Sequence, residues 1–189
     1  MKGMELSRKY YEKYGIQMIK EQFSDYENRI AAGLVGQGSE CFGYDDDIST
    51  DHDFGPSFCM WLTDEDYDKI GLSLMKSYDE LPEEYMGYKR IVSLHGGGRV
   101  GVFRIGDFYK SFIGSRTAYL SLSEWMYIPE YFLAAVTNGE IFRDTLGEFS
   151  KIRSILLNYY PEDVRIKKIA ARAAVMAQSG QYNYSRSMR

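Results

Sequence analysis

Gly38-Ser39, separated by residues 40–50 from Asp51-His52-Asp53, is the combination of residue types and spacing that points to chemistry. The pair ends the apolar run Gly33-Leu34-Val35-Gly36, which reads as a strand giving way to a turn and a helix start. Backbone amides exposed at such a turn attract phosphate. Strand geometry puts Asp51 and Asp53 on one face and His52 on the other. Two like charges about 6 Å apart repel by roughly 3 kcal/mol at an effective dielectric of about 20, enough to raise one pKa by about two units. A divalent cation reverses that penalty. Mg²⁺ suits the pair because it takes a few carboxylates and completes its shell with water and phosphate oxygens. The layout can therefore hold a nucleoside triphosphate and its metal together.

The surrounding pattern supplies elements to position these groups. Phe54 to Leu62 is a strongly apolar strand candidate running into Thr63-Asp64-Glu65-Asp66, a cap with an acidic first turn. Asp64 to Tyr78 then reads as a helix, broken at Leu81-Pro82-Glu83-Glu84. Ahead of the glycine pair, Leu6 to Phe23 is an amphipathic helix expected to pack on the sheet. Tyr88 to Leu94 and Arg99 to Ile105 look like two strands joined through His95-Gly96-Gly97-Gly98. From Ser121 the pattern is mostly helical, interrupted by the Asn138-Gly139 turn before a short strand at Glu140-Ile141-Phe142. Leu146 to Asn158 forms one helix, and Pro161 opens another from Glu162 to about Gln178. Val164, Ile169, Ala173 and Ala177 fall on or near one face of that helix, and its opposite side carries Arg165, Lys167, Lys168 and Arg172. The expected class is α+β: a small mixed β-sheet flanked by helices, residues 1–145, and a helical C-terminal region, residues 146–189.

The glycine pair and the two aspartates resemble the signature of the nucleotidyltransferase superfamily, the DNA polymerase beta-like group. That signature is a hydrophobic residue, Gly, Gly or Ser, a spacer, then Asp, any residue, and Asp or Glu; Gly38, Ser39, Asp51 and Asp53 occupy those positions. The longer stretch from Gly33 to Leu62 is similar to a narrower group, DUF4037, as are residues 135–144 and 159–165. The resemblance implies Mg²⁺-dependent transfer of a nucleoside monophosphate from an NTP to a hydroxyl of a small molecule, a protein or a tRNA, with pyrophosphate leaving. Gly38 and Ser39 would hold the triphosphate, and Asp51 and Asp53 the metal. A helix across the cleft in a two-lobed transferase would offer Lys168 or Arg172 to the triphosphate, against the plainer reading of a solvated basic helix side. The family pattern continues into further helix past Arg186, so the chain is expected to be a short member or a trimmed piece.

Family members usually supply a third carboxylate from a neighbouring strand, and here the chain departs from the pattern. The strand candidate Arg99 to Ile105 contains no acid. Asp107 follows at its end, where it either reaches the metal or caps a short helix through Phe108 to Phe112, the cap being preferred. Glu124 and Glu140 are remoter candidates. This departure sustains a second expectation, a nucleotide-binding regulatory module that has lost efficient catalysis.

Other features have plain readings. Asp45-Asp46-Asp47 lacks the glycine and final glutamate of a calcium loop and reads as an exposed turn. His52, on the other face from the carboxylates, reads as a packed or hydrogen-bonded histidine rather than a catalytic base. His95 to Gly98 reads as a hairpin turn, since no Gly-x-Ser-x-Gly nucleophile turn accompanies it. A histidine-aspartate phosphohydrolase is a weaker third option, the two histidines being too few. Walker-type and dinucleotide glycine patterns are absent. Tyr182 and Tyr184 read as packing residues, with ring stacking on a ligand the alternative.

Composition bounds these expectations. A 189-residue chain can bury a full core. Its net charge of -4 does not favour general nucleic-acid binding, although a local basic face leaves a tRNA end open. Cys41 and Cys59 have neither metal-type spacing nor the density of a disulfide framework, which points to a reducing cytoplasm. The N-terminal sequence is charged and tyrosine-rich, without a secretory core, and no stretch is long and apolar enough to span a bilayer. Homo-oligomerisation is left open.

Overall fold

The computed structural model describes residues 1–44, 55–90 and 98–187. Asp45 to Phe54, including Asp51, His52 and Asp53, lie outside the described residues, as do 91–97 of the expected strand and glycine loop and the side chains of Tyr182 and Tyr184.

The first element is helical from Gly3 to Gln22, built from α1 (Gly3–Tyr10), a single π turn (Tyr11–Gly15) and α2 (Ile16–Gln22). The wide turn brings Gly15 so close to Phe58 that a Cβ there would stand 2.8 Å from its Cζ. Leu6, Tyr10, Met18 and Ile19 are buried, as the amphipathic pattern predicts.

β1 (Ala31–Leu34) leads through the glycine turn into a one-turn helix, α3 (Ser39–Phe42). β2 (Cys59–Leu62) pairs antiparallel with β1 and runs into α4 (Asp64–Asp79), where the Thr63 hydroxyl accepts from the Asp66 amide at 3.2 Å. A two-residue hairpin of β3 (Glu84–Tyr85) and β4 (Tyr88–Lys89) follows. β5 (Gly101–Arg104) pairs parallel with β2 and passes into α5 (Ile105–Ile113) without a loop. Next come α6 (Leu122–Tyr127), α7 (Glu130–Thr137), β6 (Glu140–Arg143), α8 (Glu148–Asn158) and α9 (Glu162–Ser187). The sheet order is β5-β2-β1-β6, with β6 antiparallel to β1. The fold is α+β, a small mixed sheet flanked by helices with several helices after it.

Two expected boundaries change. The helix ends at Asp79, ahead of the expected break at Leu81-Pro82-Glu83-Glu84, and Tyr88-Lys89 then pairs with Glu84-Tyr85 through a Met86-Gly87 turn with φ of 54° and 83°, so the expected strand from Tyr88 begins as the second strand of a short hairpin. α9 continues well past Gln178, to Ser187.

Alternation along β2 divides the core. Cys59 and Trp61 face one layer, with Phe108, Tyr109, Val136 and Phe149; Met60 and Leu62 face the other, with Tyr10, Ile19, Leu74 and Val102. A register shift at Ala32/Gly33 puts Leu34 in the same layer as Ala31, against strict alternation. Gly33 lies beneath β6, where a Cβ would come within 2.5 Å of the Glu140 carbonyl. Phe149 of α8 stacks on Trp61 with centroids 4.0 Å apart, which ties the helices after β6 to the sheet.

Candidate functional site

The chain leaves β1 at Leu34 and turns twice through left-handed backbone, at Gly36 (φ 124°) and Gly38 (φ 125°), conformations that L side chains rarely adopt. The turn is pinned from the far end of α7. Asn138 Oδ1 accepts the Gly36 amide at 3.0 Å, and Asn138 Nδ2 donates to the Gly36 carbonyl at 2.8 Å. Its neighbour Gly139 donates to the Cys41 carbonyl at 2.9 Å and packs on Leu34 so closely that no side chain fits. The Asn138-Gly139 turn thus both starts β6 and holds the loop carrying Gly38-Ser39.

Ser39 begins α3, and the next residue, Glu40, turns its carboxylate inward onto Arg99. Both side chains are withdrawn from water, at 5% and 15% exposure. The Arg99 guanidinium and the Glu40 carboxylate press against the Gly38 backbone, leaving no room for a Cβ at that glycine. Burial pulls the Arg99 pKa down to about 10, so the guanidinium stays charged at neutral pH. The Arg99 carbonyl accepts the Cys59 thiol at 3.5 Å, and burial pushes that thiol up to about 12. Cys59 is therefore an inert thiol beneath the site.

Gln37, Gly98 and Arg99 line a cleft of about 430 Å³. Its opposite walls are Asp107 and Ser111 of α5 and a run of aromatic rings: Phe103, Phe108, Phe112 and Phe132. A cleft with few polar groups on an aromatic wall suits an organic ligand of modest size. Asp107 lies within the first turn of α5, two residues after the helix begins, so it does not occupy the cap position. The direct passage of β5 into α5 starts the helix earlier than the sequence indicates, and an acid in the first turn is favoured there. Its carboxylate meets Arg116, which also bridges to Asp64 at 2.5 Å.

Gly38, Ser39, Arg99 and Asp107 are thus gathered around one turn and one cleft. The described part of β5 carries no acid, in line with its sequence. Among the described residues no group of three His, Cys, Asp or Glu side chains is arranged to hold a metal ion. Glu124 completes a capping box with Ser121, and Glu140 pairs with Arg8. Lys168 and Arg172 line a different groove. Lys168 donates to the Ile128 carbonyl at 2.5 Å and meets Glu130 at 3.0 Å, while Arg172 meets the same carboxylate at 3.6 Å. The Lys168 hydrogen bond holds the Glu130 carboxyl below its ordinary range.

Arg99, Glu40 and Asn138 escaped the sequence reading. Glu40 directly follows the Gly-Ser pair, which was a weak signal; Arg99 and Asn138 reach the turn only through tertiary contacts.

The family model described as a domain of unknown function, DUF4037, matches residues 125–189, from within α6 to the last residue of the sequence. The later of the segments that resemble this group in the sequence fall inside that range. No curated protein and no solved structure matches the chain.

Proposed function

We propose that the protein is a Mg²⁺-dependent nucleotidyltransferase, moving a nucleoside monophosphate from an NTP to a hydroxyl of a small molecule, a protein or a tRNA. The observation that carries this reading is the double-glycine turn at Gly36 and Gly38, held rigid by Asn138 beside the cleft, in a chain where Asp51-x-Asp53 follows. Gly38 carries no side chain and the Arg99 guanidinium packs against its backbone, so a triphosphate at the turn would meet backbone and cation together. Asp51 and Asp53 would hold the metal, with Asp107 the described carboxylate that faces the cleft and offers hard oxygen donors of the type Mg²⁺ takes. The bound ion would neutralise phosphate charge as pyrophosphate departs. The chain's own contribution is positioning: the acceptor oxygen bonds to the α-phosphorus, the bond from that phosphorus to the bridging oxygen breaks, and the hydroxyl proton passes to solvent or a carboxylate. A cytoplasmic protein is consistent with two buried free thiols. No helix of the described residues is long and apolar enough to cross a membrane.

A second reading is a nucleotide-binding regulatory module with little transfer activity. It is favoured by the acid-free β5 and by the engagement of Asp107 with Arg116.

Calorimetric titration of the four ribonucleoside triphosphates, with and without Mg²⁺, tests the shared premise. Metal-dependent binding to the wild type that disappears in Asp51→Asn/Asp53→Asn is the expected result. Unchanged binding in the double variant would sink the assignment. Binding without pyrophosphate release across an acceptor screen would select the regulatory reading.

A further inference from the structure

The geometry points to Arg99 as the residue that receives the ligand's phosphate chain, with Glu40 holding the same guanidinium until an anion replaces it. The inference deepens the nucleotide reading and rests on it for the identity of the ligand.

Arg99 and Glu40 come from opposite sides of the site, one from the approach to β5 and one from α3, and converge on Gly38. Arg99 also lines the cleft beside Gln37 and Gly98. Arg99 therefore borders both the space a ligand would fill and the turn, where its guanidinium is buried against Gly38.

An ion pair this withdrawn from water gives little net stability. Desolvating both charges offsets most of their attraction, and an apolar pair of similar volume would fill the space at no such cost. What the pair supplies that an apolar pair would not is a guanidinium fork at the cleft wall. That fork matches phosphate oxygens in pairs, and its delocalised charge is less costly to dehydrate than an ammonium. Glu40 keeps it oriented and compensated in the absence of ligand.

The arrangement has a signature that a purely structural pair lacks. Carboxylate and phosphate compete for one fork, so neutralising Glu40 should strengthen anion binding even though it removes a native contact. Removing Arg99 should weaken binding even when Glu40 is neutralised at the same time.

The probe is inorganic tripolyphosphate without metal, titrated calorimetrically into wild type, Glu40→Gln, Arg99→Gln and the double variant, with melting temperatures recorded alongside. The double variant matters most: its two neutral side chains fill the same space and leave no uncompensated charge. Wild type should bind, Glu40→Gln about tenfold more tightly, and both Arg99→Gln proteins at least about tenfold more weakly, the scale of one charge-assisted hydrogen bond. Wild-type affinity in the folded double variant would overturn the inference, as would a folded Glu40→Gln protein that binds no better, or a wild type that does not bind.

Two outcomes separate this inference from the nucleotide reading. Metal-dependent NTP binding that survives in Glu40→Gln/Arg99→Gln overturns the role of Arg99 and leaves the Asp51/Asp53 assignment standing. Arg99-dependent tripolyphosphate binding with no metal-dependent NTP binding upholds the anion site and overturns the transferase.

Discussion

Asn138→Ala should loosen the turn that carries Gly38-Ser39 at a cost that can be worked from two hydrogen bonds. The Asn138 side chain is the partner of both the Gly36 amide, at 3.0 Å, and the Gly36 carbonyl, at 2.8 Å, and Gly36 is buried. Each orphaned buried group costs about 1–3 kcal/mol. The site is only partly closed to water, so the low end applies and the pair comes to about 2–3 kcal/mol. With a urea m-value of about 2–3 kcal/mol/M for a chain of this size, the unfolding midpoint should fall by about 1 M. Asn138→Asp is the sharper control. It retains an acceptor for the Gly36 amide but sets a carboxylate oxygen against the Gly36 carbonyl, so at neutral pH it should destabilise at least as much as alanine. Below the carboxyl pKa the protonated group can donate again, and part of the loss should return. Urea curves at pH 7 and at about pH 3.5, below the ordinary aspartate pKa of about 3.9, for the three proteins decide the matter. A midpoint for Asn138→Ala within about 0.2 M of wild type, or an Asn138→Asp protein as stable as wild type at pH 7, would refute the clamp.

Two further predictions concern stability. The Cys59 thiol is raised by burial to about 12 from a reference of 9.0, so unfolded chains lose this proton before folded ones do. Its contribution is complete below about pH 9 and is lost as pH climbs toward 12; between pH 8 and 9.5 wild type should lose about 0.8 kcal/mol relative to the pH dependence of Cys59→Ala, read from urea midpoints. Equal pH slopes in the two proteins would contradict that burial. Met86 is the one described non-glycine residue with positive φ, at 54°, in the turn between β3 and β4. Met86→Asn should stabilise by about 0.5–1 kcal/mol because asparagine tolerates that backbone better, and a lowered melting temperature would count against the turn assignment.

Local patterns carried most of the element assignments. The apolar spacing of Leu6, Tyr10 and Ile19 shows a helix with a buried face, and Thr63-Asp64-Glu65-Asp66 marks the start of α4, because period and capping are properties of a few neighbouring residues. The glycines of the turn were legible for the same reason: left-handed backbone selects glycine wherever it occurs. Strand partnership was not legible. Tyr88 could be read as a strand, but its choice of Tyr85 over β5 depends on a turn whose first central residue, Met86, gives no turn signal.

The amino-acid sequence by itself determined the α+β class, the mostly helical second half and the position of the glycine turn. Tertiary structure alone decided what surrounds that turn. Asn138 clamps Gly36, Arg99 meets Glu40 across Gly38, and Asp107 faces the same cleft, whereas Lys168 and Arg172 gather on Glu130 at another groove. The difference is physical: a turn or a cap is set by forces within a few residues, but a buried charge finds its partner only when the packing of distant elements closes around it.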